Sequence, residues 1–206
     1  MRLSCVIKML TIGITGGIGS GKTTVCQIFE MLNIPIYYAD YQAKWLMQND
    51  PELKNNITEI FGEKAYQRDG KLNRAFIAKL VFAEKKLLKA LNELVHPVVF
   101  LDSERWFSEQ SNKYAIKEAA LFYETGSYAQ MDKMIVVTAN QEERIKRVML
   151  RDGVDKEAVK ARMDKQLPEV EKIAKADFVI YNDGKDLLIP KVFEIDQALR
   201  LDVRIS

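Results

Sequence analysis

Leu10-Thr11-Ile12-Gly13-Ile14-Thr15-Gly16-Gly17-Ile18-Gly19-Ser20-Gly21-Lys22-Thr23 decides how the rest of the chain is read. Its opening, Leu10 to Thr15, is short, apolar and rich in β-branched residues, as expected of a strand buried on both faces. Gly16 to Thr23 fits the spacing G-x-x-x-x-G-K-[ST]. Beyond it, Val25, Ile28, Phe29 and Leu32 recur at helical spacing, and Asn33 and Pro35 stop the pattern. A Gly-rich turn with an incidental lysine is the plain alternative, but strand, loop and helix in that order argue against it. The glycines let the backbone wrap closely, so that amide groups and a helix N-terminus face an anion. Lys22 is placed to neutralise β- and γ-phosphates and Thr23 to ligate Mg²⁺. The expected ligand is therefore ATP with Mg²⁺, held by Gly16, Gly17, Ile18, Gly19, Ser20, Gly21, Lys22, Thr23 and Thr24.

Composition narrows the setting. Lys and Arg number 31 against 29 Asp and Glu, a net charge of +2, which provides no overall basic field for a nucleic acid. With only Cys5 and Cys26, neither a disulfide framework nor a metal knuckle is expected, and a reducing, cytoplasmic setting fits. Met1 to Lys8 lacks the apolar stretch of a secretory signal, and no segment approaches a membrane span. Those eight residues read as an extension ahead of the fold or as a choice of start site. The expected partners are small molecules, with a monomer as the default.

Outward from the loop, strands alternate with helices. Ile36 to Ala39, Tyr114 to Ala120, Lys133 to Thr138 and Phe178 to Tyr181 read as further strands. The 206 residues then make one α/β domain of the P-loop NTPase type, a parallel five-stranded sheet with helices on both faces. Between the second and third strands, from Asp40 to about Ser108, the pattern is helical almost throughout, too much helix for one crossover. It reads as a helical insertion for an acceptor substrate. The boundaries are a core of about 9–40, 109–140 and 167–206, an insertion of about 41–108 and a helical lid of about 141–166.

Four sets of side chains are candidates for chemistry. Asp40 follows the second strand, at the carboxyl edge where ligands sit in open α/β sheets, and is either a general base facing the γ-phosphate or the N-cap of a helix beginning at Tyr41. Glu118 and Glu124 are either within reach of the Mg²⁺ shell through water or, for Glu124, simply solvated. Arg144, Arg147 and Arg151 share one helical face, which either closes over transferring phosphates or is a solvated basic face paired with Glu142 and Glu143; a second helix follows with Arg162 and Gln166. His96, the single histidine, precedes Pro97, which reads as the first position of a helix.

Taken together, the chain resembles dephospho-coenzyme A kinases nearly end to end. The resemblance is carried by the loop, by Ala39-Asp40 with Ala43, by Leu94-Val95-His96-Pro97, by Leu121-Phe122-Tyr123-Glu124, by Lys146-Arg147 with Arg151-Asp152, and by Ala176-Asp177 through Asn182-Asp183-Gly184. It implies phosphorylation of the ribose 3′-hydroxyl of dephospho-CoA by ATP, with Asp40 as base. It also implies that the insertion, including Arg74 and His96, receives dephospho-CoA, with Glu124 on the acceptor side. Arg144 and Arg147 then belong to the lid, and Asn182 and Gly184 border the adenine. One stretch departs: Lys117-Glu118-Ala119-Ala120-Leu121 stands where the family commonly has Asp or an apolar residue followed by x-Pro-Leu-Leu. The rivals are another small-molecule P-loop kinase, acting on a nucleoside or nucleotide, and a nucleotide-dependent switch. The absence of D-x-x-G and N-K-x-D argues against the switch.

Overall fold

A computed structural model describes residues 9–202; Met1 to Lys8, Cys5 among them, lie outside the described residues. Five strands, β1 (Leu10–Thr15), β2 (Ile36–Tyr38), β3 (Tyr114–Glu118), β4 (Lys133–Thr138) and β5 (Phe178–Tyr181), form one sheet in the order β2-β3-β1-β4-β5. β1 runs parallel to β3 on one side and to β4 on the other, and β4 runs parallel to β5. Ile12 and Ile14 of β1 are wholly buried, as a central strand covered on both faces requires. The strand order reverses beside β1, and at such a reversal in an open α/β sheet ligands bind outside the carboxyl ends of the strands.

Ten α-helices and two short 3-10 helices complete the fold of the described residues. The helix α1 (Lys22–Met31) leaves the glycine loop and buries Val25, Cys26 and Phe29. The edge of Phe29 meets the Tyr114 ring at a centroid distance of 6.5 Å. At the other end of the chain α10 (Leu188–Leu201) buries Val192, Ile195 and Leu199, and its Asp196 accepts the Tyr114 hydroxyl at 2.6 Å.

The chain divides into two compact units, residues 38–108 and the remainder. The smaller is helical: α2 (Ala39–Asn49), α3 (Pro51–Phe61), α4 (Arg74–Ala83) and α5 (Lys85–Ser108). Asp50 caps α3 by accepting the Leu53 amide at 2.7 Å, with Pro51 in the first turn, and Asn73 caps α4 through the Phe76 amide at 3.2 Å. The long helix α5 packs against the other three and buries Val95, Val99, Ser103 and Phe107, spaced four apart.

Expectations at α5, α2 and β3 are corrected. Pro97 lies inside α5 and does not begin a helix; Val95 and Val99 on either side are anchored in the core while Pro97 itself is exposed, so packing carries the helix through. The helix after β2 begins at Ala39, its N-cap position is Tyr38, and Asp40 therefore sits within the first turn and is not the cap. β3 ends at Glu118 and not at Ala120, although the Ala119 amide still bonds the Ile14 carbonyl at 3.1 Å.

The second unit adds α6 (Phe122–Thr125), α7 (Gln141–Asp152), α8 (Lys156–Met163) and α9 (Glu169–Ala174). Asn140 caps α7 through the Glu142 amide at 3.1 Å, Gly153 ends it at φ 66°, and Asp155 caps α8 through the Ala158 amide at 2.7 Å. The helix expected to contain Arg162 and Gln166 stops at Met163, before Gln166.

Candidate active site

Gly16 to Gly21 join the end of β1 to the start of α1, and the surrounding chain grips this loop from outside. Gly21 stands at the N-cap of α1 with φ 91°, where a side chain would be strained and would run into the Asn182 amide. At Gly17 a Cβ would strike the guanidinium of Arg144 and meet Glu169 at 2.5 Å. Glycine is thus required here for close approach by neighbours as well as for phosphate access.

Each grip has a named donor and acceptor. Arg144, 5% exposed, donates from Nε to the Ile18 carbonyl at 3.0 Å and pairs with Glu169 at 3.3 Å. Glu169 in turn accepts the Thr138 hydroxyl at 2.7 Å. The Gln166 side-chain oxygen accepts the Ile18 amide at 2.9 Å. Asn182 donates to the Ser20 carbonyl at 2.9 Å, and its own carbonyl accepts Arg147 at 2.7 Å. The Asn182 amide bonds the Thr138 carbonyl at 2.7 Å, which ties the residue to the end of β4.

Inside the loop, Lys22 Nζ donates to the Gly16 carbonyl at 2.8 Å. This folds its charge over the loop, where phosphates would lie. Ser20 is wholly buried and its hydroxyl has no hydrogen-bond partner. Thr23 and Thr24 are exposed in the first turn of α1, where a helix leaves its amides without internal partners. One hydroxyl ligand from such a terminus fits Mg²⁺, an oxygen-seeking ion that keeps most of its ligands as water and phosphate.

The acidic and sulfur groups nearby divide clearly. Glu118, 8% exposed, ends β3 opposite Ile14 in the parallel ladder. Burial and then the Glu118 charge push the Cys26 thiol up, with Lys22 pulling weakly the other way, so Cys26 is not a thiolate nucleophile. Glu124 is engaged internally: Oε1 accepts the Leu167 amide at 2.8 Å and lies 2.8 Å from Lys172 Nζ.

The expected three-arginine face divides as well. Arg144 and Arg147 turn to the loop, whereas Arg151 pairs with the adjacent Asp152 at 2.7 Å, joined there by Arg162. Glu142 and Glu143 form their ion pairs with Lys156 and Lys146. Gly184 forms an open turn at φ 81° beyond Asn182. Asp40, Arg74 and His96 all belong to the helical unit and are exposed: Asp40 is second in α2, Arg74 first in α4, and His96 midway along α5.

Sequence reasoning missed the support of the loop by Thr138 and Glu169. Thr138 carried a usable signal, as the last residue of a strand beside β1. Glu169 carried none, because its partners lie far away in the sequence.

Comparison with known proteins agrees along most of the chain. A family model described as dephospho-CoA kinase matches residues 10–187. A dephospho-CoA kinase of Salinibacter ruber is 42% identical over 180 residues, covering 85% of this chain and 90% of that protein. Among solved structures, a Thermus thermophilus protein superposes with a TM-score of 0.82 at 33% identity, covering 92% of this chain and 97% of its own. A dephospho-CoA kinase from Campylobacter jejuni gives 0.68 at 28% identity, covering 92% and 96%.

Proposed function

The chain belongs to the dephospho-CoA kinase family and phosphorylates dephospho-CoA in coenzyme A biosynthesis; from that premise we propose how its residues divide the work. The donor is ATP, and the acceptor atom is the ribose 3′-hydroxyl. Gly16 to Thr24 cradle the triphosphate, with Lys22 against the β- and γ-phosphates, and Asn182 and Gly184 border the adenine. Mg²⁺, when bound with ATP at Thr23, supplies positive charge that screens the phosphate oxygens.

Asp40 accepts the proton of the attacking hydroxyl, at a distance set by the acceptor's own placement on the helical unit. Arg74 and His96, on the same unit, receive dephospho-CoA. Arg144 and Arg147 come from the segment of about 141–166, which acts as the lid. Their contacts with the Ile18, Gly19 and Asn182 carbonyls support a role in shaping the nucleotide site. The enzyme acts in the cytoplasm as a monomer on small-molecule substrates; no described helix is long and apolar enough to cross a membrane.

The observation that carries this reading is the glycine loop, gripped from outside by Arg144, Gln166 and Asn182 while the first turn of α1 opens to solvent. The test is ADP release with dephospho-CoA against a panel of nucleosides and nucleotides, with the product's phosphate located by NMR. Turnover with dephospho-CoA alone and phosphate on the 3′-oxygen is expected. Phosphate elsewhere on the ribose would remove the proposed acceptor atom.

A further inference from the structure

We propose that the buried pair Glu124–Lys172 is the positioning element of the phosphate loop, acting through the segment Gln166–Lys172 and without touching substrate. The inference rests on reading Gly16–Thr23 as the ATP site.

Lys172, on α9, is 0% exposed, and its ammonium lies 2.8 Å from Glu124 Oε1. The same oxygen accepts the Leu167 amide at 2.8 Å. The setting is apolar: Phe122, Tyr123, Met134 and Val136 form a buried cluster against which Leu167 and Ile173 pack. Glu124 Oε2 is buried without a hydrogen-bond partner, a cost that a space-filling apolar residue at 124 would avoid. Burial raises the Glu124 carboxyl, but Lys172 and the backbone amides more than offset it, so the net direction is downward and the group stays ionised at neutral pH. The fold therefore keeps two charges in an apolar cluster where neutral packing would serve stability as well. Such expense suggests a geometric task.

That task is visible one residue away. Leu167, pinned by Glu124, follows Gln166, whose side chain holds the Ile18 amide at 2.9 Å. Between Leu167 and Lys172 lies Glu169, which holds Thr138 at 2.7 Å and Arg144 at 3.3 Å, and Arg144 holds the Ile18 carbonyl at 3.0 Å. Both polar groups of Ile18 are thus held through a seven-residue segment with Glu124 and Lys172 as its anchor. Loosening the anchor frees Gln166 and Glu169 together, and the loop loses its outer wall.

Glu124→Gln leaves Lys172 buried without its counter-charge, and Glu124→Gln with Lys172→Met removes both charges. ATP binding measured by calorimetry without acceptor is expected to weaken about tenfold in each variant, with KM for dephospho-CoA held within about twofold. The double variant guards against unfolding, since it leaves no unpaired buried charge. Three results would overturn the proposal: unchanged ATP affinity in a folded variant, a selective rise in KM for dephospho-CoA, or collapse of both variants, which would make the pair a determinant of the fold alone. Wild-type chain that fails to bind ATP would remove the donor reading as well, and is told apart because it needs no variant.

Discussion

The phosphate loop and the helical unit of residues 38–108 hold their candidate side chains in opposite ways. Around the loop, Lys22, Arg144, Arg147 and Asn182 all hydrogen-bond to backbone carbonyls, and Arg144 is almost wholly buried. On the helical unit, Asp40, Arg74 and His96 are exposed on the first turns or open faces of their helices. On the proposed division of roles, the loop is held in place before a nucleotide arrives, as electrostatic preorganisation requires. The three exposed side chains are then left to be positioned by the dephospho-CoA proposed to bind them. Substitutions should divide along the same line: those near the loop should move stability and ATP affinity together, and those on the helical unit should move turnover or acceptor binding alone.

The largest effect should come from Asp40→Asn. Exposed and uninvolved in a cap, Asp40 has little structural work to lose. Turnover should fall by about a thousandfold, the scale of a lost general base, with ATP affinity and melting temperature kept. Steady-state kinetics with calorimetry checks this, and near-normal turnover would remove Asp40 as the base.

On the loop side, Arg144→Met leaves Glu169 without its ion-pair partner beside a packed loop. Since Glu169 is partly exposed, the cost is below that of a fully buried pair, about 2 kcal/mol, or a melting temperature lower by about 6 °C. ATP affinity should fall with it. Thermal melts with and without ATP separate the two losses; if only one moves, the coupling of stability to donor binding breaks. A step smaller, Gly21→Ala forces a side chain to φ 91° and pushes Asn182 off the Ser20 carbonyl. About 1–2 kcal/mol of strain is expected, with weaker ATP binding and an unchanged KM for dephospho-CoA.

These contrasts also explain what could be read in advance. β1, β4 and β5 announce themselves through apolar, β-branched runs, and the observed bounds are those the pattern predicts. The loop was legible because its chemistry is local, one run of eight residues between a strand and a helix. Its outer wall was not, since the Ile18 contacts with Arg144 and Gln166 join residues more than 120 positions apart. Glu124 shows the same limit: beside a predicted strand it resembles a ligand or a solvated loop residue, and only Lys172, on a helix far along the chain, reveals its engagement. Pro97 misled for the opposite reason, because a strong local rule yielded to the packing of Val95 and Val99.

His96 should give the smallest effect and the finest test of the acceptor side. Partial desolvation lowers its imidazole below the ordinary value of 6.5, even though the residue as a whole is exposed, so it is neutral at pH 7. A depressed folded pKa favours the neutral form: its stabilisation is complete above the unfolded value and is lost as pH falls through the folded one. Wild-type chain should therefore lose slightly more stability than His96→Gln on acidification below about pH 6.5. Acceptor binding should run the other way. A protonated imidazole attracts the phosphates of dephospho-CoA where a neutral one does not, so KM for dephospho-CoA should fall with pH in the wild type and stay flat in His96→Gln, with KM for ATP unaffected in both. Opposite signs for stability and acceptor binding, in one residue and one pH window, are what an exposed side chain waiting for its substrate produces; a His96 that only fills space on α5 would move stability and leave KM still.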